Sequence, residues 1–144
     1  MISVTARKKI GEMLILFIIG GLIYMGIELL WRGHTHITMM IAGGLCFILI
    51  GVVNTYLPWG LNLVWQTAIS VAIIKVVEFI VGLIVNVWLG LNVWCYADLT
   101  FNIMGQISLL FTILWIPLAI FAIFLDDWLR HWLFGEEKPR YRIL

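Results

Sequence analysis

The chain of 144 residues is too apolar for a soluble domain of its size, since 63% of its residues are hydrophobic and 12% are charged, with a formal net charge of +1. Soluble domains have about 45–50% apolar and about 25% charged residues. A domain of this length buries only about 70% of the surface that its unfolded chain exposes, so the surplus apolar surface must face lipid. The composition excludes a disordered chain, a collagen, a disulfide scaffold and a nucleic-acid binder.

Long stretches poor in charged residues predict four transmembrane helices. A helix needs about 20 mostly apolar residues to cross the hydrocarbon core of a bilayer. Pro58 and Gly60 divide the longest stretch with a turn. The predicted helices are, in chain order, 10–31, 37–57, 61–89 and 101–124. The sequence therefore predicts an all-α integral membrane protein folded as a four-transmembrane-helix bundle.

The last helix is expected to continue as a short cytoplasmic extension at the membrane interface. Asp126 and Arg130 are four residues apart, which favours an ion pair on one face of a helix, and Gly135 is a suitable C-cap. We therefore expect a four-helix transmembrane domain over 1–134 and a charged cytoplasmic tail over 135–144.

Basic residues flank the two ends of the predicted bundle unequally. They precede the first helix and follow the fourth, whereas a single one, Arg32, lies in a loop on the opposite side. Because Lys and Arg accumulate on the cytoplasmic side, both termini are expected in the cytoplasm. Under this topology Cys46, inside the second helix, and Cys95, in an outer loop, lie at different depths and cannot form a disulfide within one chain.

Polar residues on the third predicted helix are candidates for a solute pathway. Lys75 and Glu78 are three residues apart near its middle, so they share one face. Ionisable side chains at membrane depth usually face the protein interior or a water-filled cavity. Two interpretations stay open: a self-neutralising pair that fixes helix packing, or the wall of a solute or proton path. The full set of pathway candidates is Gln66, Ser70, Lys75, Glu78 and Asn86.

A second polar cluster is expected at the outer face, formed by the first and last loops of the predicted bundle. His34 and His36, with Cys95, could bind a transition metal only if their loop is extended, because on a helix the two rings would point about 200° apart. Such a spacing without a second ligand motif is commoner in a solvated loop, so we assign no metal and no cofactor. The members of the outer cluster are Glu28, Arg32, His34, His36, Asp98 and Asn102.

Several segments resemble a family of small bacterial membrane proteins regarded as type IV permeases of ABC transporters. The first half matches from Glu28-Leu-Leu-Trp-Arg-Gly-His to Met40, and the second half matches in Glu78–Gly82, Asn86–Gly90 and Asn92–Tyr96. The chain departs from the family at Cys95, where Asp is usual, and at Ala97, where Ser is usual. The resemblance implies a transport component of the bacterial cytoplasmic membrane.

The expected function is a permease-like subunit that moves a small polar or charged solute, and not an enzyme. The Gly-rich phosphate-binding loop of ATPases is absent from the sequence, so ATP hydrolysis would require a separate ATPase subunit. Four helices are few to enclose a pathway, which favours a homo-oligomer or partner subunits in the lipid bilayer, with no nucleic-acid partner. The alternative is a non-transporting interaction or scaffold protein whose buried charge pairs only hold the bundle together.

Overall fold

The computed structural model describes residues 4–56, 62–136, 139 and 141. Within these residues the chain forms four α-helices, and a two-stranded hairpin precedes the last of them. The third helix continues without a break into a π-helical segment, Leu83–Trp88. In chain order the elements are α1 (Val4–Arg32), α2 (Ile37–Tyr56), α3 (Leu63–Gly82), β1 (Asn102–Ile103), β2 (Ile107–Ser108) and α4 (Leu109–Phe134).

In the part of the chain that the structure describes, three helices are long and apolar enough to cross a membrane: α1, α3 with its π-helical continuation, and α4. The second helix, α2, has 20 residues and is apolar over Ile37–Val53. The prediction of a helical multi-pass membrane protein is therefore confirmed. The predicted turn at Pro58 and Gly60 and most of the tail over 135–144 lie outside the described residues.

The fourth helix begins at Leu109. The start predicted from the sequence, near Phe101, is therefore wrong. Residues 102–108 form an antiparallel hairpin instead, in which Asn102 pairs with Ser108. Met104 and Gly105 in its turn have a left-handed backbone, and the side chain of Asn102 accepts a hydrogen bond from the Gly105 N–H at 3.0 Å. This side-chain bond competes with helix formation. Ser108 then caps α4 by accepting a hydrogen bond from the Phe111 N–H at 3.3 Å.

The first two helices pack at very short distance because glycines line their interface. A Cβ atom added at Gly21 would lie 2.7 Å from the carbonyl oxygen of Met40, and one at Gly44 would lie 2.7 Å from that of Phe17. Backbone approach of this kind is typical of membrane helices with small residues at the interface. These glycines serve packing within the chain.

The second helix also packs against α3 and α4, and the core lies among these three helices. It is built from Ile50 on α2, Ile74 on α3, and Ala119 with Ile123 on α4. The first helix is anchored mainly on α2. The seam between α1 and α4 is therefore filled less tightly, and two cavities lie along it.

The two ends of the bundle differ. One, which we call the loop end, carries residues 33–36 and 89–108. The other, which we call the terminal end, holds the start of α1 and the last turns of α4. At the terminal end, Gly135 has a left-handed backbone (φ 69°) and caps α4, as predicted, through a bond from its N–H to the Arg130 carbonyl.

Candidate functional site

The ion pair in the middle of α3 is enclosed by protein. The Lys75 ammonium donates to the Glu78 carboxylate at 2.6 Å, and their side chains are only 11% and 13% exposed. The Tyr96 hydroxyl donates to the other oxygen of Glu78 at 3.3 Å. Burial, followed by the negative charge of Glu78, raises the pKa of Tyr96, so its phenol stays protonated and can donate. The Lys75 nitrogen also lies 5.9 Å from the centre of the Trp115 ring.

A second ion pair lies at the loop end of α1. The Arg32 guanidinium contacts the Glu28 carboxylate at 2.6 Å, and the Tyr24 hydroxyl donates to the other oxygen of Glu28 at 2.9 Å. Arg32 also donates to the Val93 carbonyl at 3.2 Å, which ties α1 to the loop after α3. The Nε atom of Arg32 is buried and has no hydrogen-bond partner among the described residues. The same holds for its Nη2 atom, which contacts Glu28 only as an ion pair, so this guanidinium keeps unused N–H donors.

The second ion pair lines a cavity with a volume of about 280 Å³, which we call the large cavity. Side chains from α1, α2, α4 and the loop after α3 form its wall. Half of the residues in that wall are aromatic and most of the others are aliphatic, so the two charged groups face a largely apolar space. The rings, which we call the aromatic wall, belong to Tyr24, Trp31, Trp94, Tyr96, Phe111 and Trp115.

A stacked pair of rings separates this cavity from two smaller ones. Tyr24 on α1 and Trp115 on α4 stack with ring centres 5.4 Å apart and planes 9° apart. Both rings line the 280 Å³ cavity, a cavity of about 60 Å³ toward the terminal end, and one of about 30 Å³ that reaches Glu78. The Tyr24–Trp115 stack is thus the common wall of three spaces inside the bundle.

Comparison with known proteins agrees with this arrangement of apolar helices around buried charges. Residues 15–139 match the family described as "Putative ABC-transporter type IV". The chain belongs to this family. No curated protein and no solved structure matches the chain. Membership confirms the resemblance seen in the sequence and supports a transport-related role, in a family that is not one of enzymes.

In this transporter-family protein, the structure distributes the predicted outer cluster over three places. Glu28 and Arg32 face the large cavity. His34 and His36 are exposed, and the ring of His36 accepts a hydrogen bond from the Thr38 N–H at 3.2 Å, at the start of α2. Within the described residues, no group of three His, Cys, Asp or Glu side chains is arranged to hold a metal ion.

The two remaining members of the predicted outer cluster lie in the loop after α3. Asp98 is exposed in a turn. Asn102 donates to the Leu99 carbonyl at 2.8 Å and so stabilises the hairpin. The hydrogen bonds of the Asn102 side chain stay within this loop.

The predicted pathway candidates on α3 are likewise not all brought together. Lys75 and Glu78 form an ion pair. Asn86 donates to the side chain of Gln106 at 2.9 Å and accepts from the Val93 N–H at 2.7 Å, so it anchors the loop after α3. The other two candidates, buried Ser70 and half-buried Gln66, do not line the three cavities described above.

Sequence reasoning missed the residues that join the two ion pairs. Tyr24 binds Glu28 and stacks on Trp115, and Tyr96 binds Glu78 while lining the large cavity. A signal for Trp115 was present, because it lies in the middle of a span, whereas tryptophans of membrane proteins favour the interfaces. The sequence signal for Tyr24 was weaker: this residue precedes Glu28 by one helical turn, so the two side chains share a face of the helix.

Proposed function

We propose that the protein is the membrane-spanning subunit of an ABC-type transporter and that it moves a small polar or charged solute across the bilayer. Family membership supports transport. The observation that carries the proposal is the 280 Å³ cavity, with the Glu28–Arg32 pair in its wall and the Tyr24–Trp115 stack at its end. A charged pair that borders a cavity between membrane helices is typical of a substrate path.

In this proposal the Tyr24–Trp115 stack closes the path between the large cavity and the 60 Å³ cavity. Passage of a solute requires the two rings to separate, which is a movement of α1 relative to α4. Such a movement is plausible physically because α1 is anchored mainly on α2. Lys75, which lies against the Trp115 ring, and Glu78, which binds Tyr96, would respond to it directly.

The proposed subunit has four spans, with α2 as the second, and both termini in the cytoplasm of a bacterium. The last turns of α4 would lie at the cytoplasmic interface, where the neighbouring rings of Trp128 and Trp132, 5.3 Å apart, fit the headgroup region. A separate ATPase subunit would supply the energy, and a homo-oligomer would complete the enclosure of the path.

The two free cysteines test the topology. Cys95 is exposed in the loop after α3, whereas Cys46 is partly buried within α2. A membrane-impermeant maleimide should label Cys95 in intact cells, and a Cys95→Ser variant should remain unlabelled. Labelling of Cys95 only after the cells are opened would place the loop end in the cytoplasm and contradict the orientation.

Substitution of Glu78 tests the transport proposal. If water reaches the pair during transport, Glu78→Gln keeps the shape and loses the charge. We then expect near-normal abundance and thermal stability in detergent. The wild-type protein should change the solute content of cells relative to cells that lack it, and the variant should not. Glu12→Gln, which removes a carboxylate near the start of α1, is the control and should leave both properties unchanged.

The enclosure of the pair favours a second candidate function, a scaffold protein without transport. Lys75 and Glu78 are almost completely covered and lie 2.6 Å apart. Removing one member of a dry buried pair costs about 3–5 kcal/mol. In a scaffold, Glu78→Gln should therefore prevent folding, and adding Lys75→Met should restore it. That pair of results would reject the transport proposal.

A further inference from the structure

We infer that the 280 Å³ cavity binds a small zwitterion with an apolar body, with its ammonium group at Glu28 and its anionic group at Arg32. The inference names the substrate class of the proposed transport and rests on that proposal. The nearest chemical class is an α-amino acid with an aromatic or a large aliphatic side chain.

The charges of the cavity wall favour a ligand that carries both signs. Glu28 and Arg32 neutralise each other at 2.6 Å, so the wall has no net charge from this pair. A ligand with a single charge would bring an uncompensated ion into an apolar space, which is unfavourable. A zwitterion places each of its charges opposite one member of the pair and keeps the total at zero.

The hydrogen-bond capacity of the pair points to the same ligand. Arg32 donates a hydrogen bond from Nη1 to the Val93 carbonyl, whereas its Nε and Nη2 atoms have no hydrogen-bond partner among the described residues, although Nη2 lies 2.6 Å from Glu28. These buried N–H groups are the donors that an anionic oxygen would satisfy. The Glu28 carboxylate accepts a hydrogen bond from the Tyr24 hydroxyl on one oxygen, and its other oxygen has no hydrogen-bond partner among the described residues. Because a carboxylate can accept about four hydrogen bonds, Glu28 can accept from an ammonium group as well.

The aromatic wall suits both parts of such a ligand. An ammonium group is attracted to the faces of Trp and Tyr rings when it lies within about 6 Å of them. The apolar body would pack against rings and against the aliphatic side chains that complete the wall, among them Met39, Leu114 and Leu118. A polar solute without an apolar body would leave these surfaces uncovered.

The volume of the cavity separates a small solute from a lipid. An apolar cavity of about 150 Å³ is sufficient to bind benzene. A cavity of about 280 Å³ therefore has room for one ring with a few further heavy atoms, but not for acyl chains. The Tyr24–Trp115 stack blocks a longer chain from continuing into the 60 Å³ cavity.

Calorimetric titration of the full-length protein in a maltoside detergent tests the inference with four matched probes. L-phenylalanine carries both charges and a ring, phenethylamine lacks the carboxylate, 3-phenylpropanoate lacks the amine, and glycine lacks the ring. We expect phenylalanine to bind at least about tenfold more tightly than each of the others, since a charge-assisted hydrogen bond contributes a tenfold factor or more.

Four results would overturn the inference. Phenethylamine binding as tightly as phenylalanine would indicate a site for organic cations, and 3-phenylpropanoate doing so would indicate one for anions. Displacement of phenylalanine by lysophosphatidylethanolamine that binds more tightly would indicate a lipid site. Absence of phenylalanine binding to folded protein at millimolar concentration would also reject the inference.

Variants locate the binding in this cavity. Leu114→Trp places a large ring in the cavity and should abolish phenylalanine binding, whereas Leu110→Trp, one helical turn earlier on α4 and half exposed toward lipid, should leave it unchanged. Arg32→Gln should weaken phenylalanine about tenfold and strengthen phenethylamine, because the cation then neutralises the charge of Glu28. Unchanged phenylalanine binding in folded Leu114→Trp protein would place the site elsewhere and overturn the inference.

Uptake of labelled phenylalanine separates this inference from the proposed function. Binding in detergent without uptake by cells that contain the protein would support the site and reject transport of this solute. Uptake of another solute by protein that does not bind phenylalanine would reject the inference and support transport.

Discussion

Two acid–arginine pairs with the same spacing of four residues occupy opposite ends of the bundle, and their surroundings differ. At the terminal end, Asp126 is fully buried, and Arg130 Nε contacts its two carboxylate oxygens at 3.2 and 3.0 Å. At the loop end, Arg32 is 24% exposed in its side chain, and its pair with Glu28 borders the 280 Å³ cavity.

The difference originates in the residues that face each pair. The Asp126 carboxylate packs against the backbone of α2 at Gly51, where an added Cβ would lie 2.5 Å from the carboxylate oxygen. Glu28 faces the aromatic wall, whose rigid rings leave a space between them. The same local spacing therefore produces a packing element at one end and the wall of a candidate binding site at the other.

The largest effect is expected when the sealed pair is broken. Arg130→Met leaves Asp126 without its partner inside the bundle, which should lower the free energy of unfolding by about 3–5 kcal/mol. Folded yield and the thermal midpoint in detergent would measure the loss. Adding Asp126→Leu removes the remaining charge and should recover much of the folded protein.

Arg32→Met at the loop end provides the matched comparison. Because its pair borders an open cavity, water can solvate Glu28 when the guanidinium is removed, and we expect a loss well below that of Arg130→Met. Equal losses for the two variants would show that the loop-end pair is as dry as the terminal-end pair and would contradict the contrast drawn here.

The local parts of this contrast could be predicted from the sequence. Spacings of three and four residues place side chains on one face of a helix, and the structure pairs Glu28 with Arg32 and Lys75 with Glu78. The helical membrane architecture followed from charge-poor segments of sufficient length. The start of α4 could not be predicted from charge-poor segments, because the hairpin before it depends on side-chain hydrogen bonds of Asn102 that compete with helix formation.

The cavity could not be predicted, because it depends on how distant segments meet. Tyr24 and Trp115 are far apart in the chain, and Trp94 and Tyr96 reach the cavity through a loop anchored by Asn86. No periodicity within one segment encodes such contacts. Asn86 illustrates the limit, since its position on α3 suggested a pathway residue and its contacts instead fix the loop.

An intermediate effect is expected from filling the space between Gly51 and Asp126. Gly51→Ala places a Cβ in contact with a carboxylate that is itself enclosed, and overpacking of this kind costs about 1–3 kcal/mol. Gly26→Ala on α1 is the control, because nothing lies within 4 Å of its added Cβ, and Ala favours helix by up to about 1 kcal/mol. Chemical unfolding in detergent should show a lower free energy of unfolding for Gly51→Ala and no loss for Gly26→Ala. Unchanged stability of Gly51→Ala would mean that Asp126 can move away.

The smallest effect is expected from a single hydroxyl at the loop end. Tyr24→Phe keeps the ring that stacks on Trp115 and removes the donor that binds Glu28 at 2.9 Å. We expect a loss of about 0.5–1.5 kcal/mol, the usual net contribution of one hydrogen bond, since water in the cavity can replace the hydroxyl. Unfolding in detergent measures it, and Tyr24→Ala, which also removes the stack, should lose clearly more. A loss for Tyr24→Phe as large as that of Arg130→Met would show that Glu28 is sealed from water, so the loop end could not present a carboxylate to a solute.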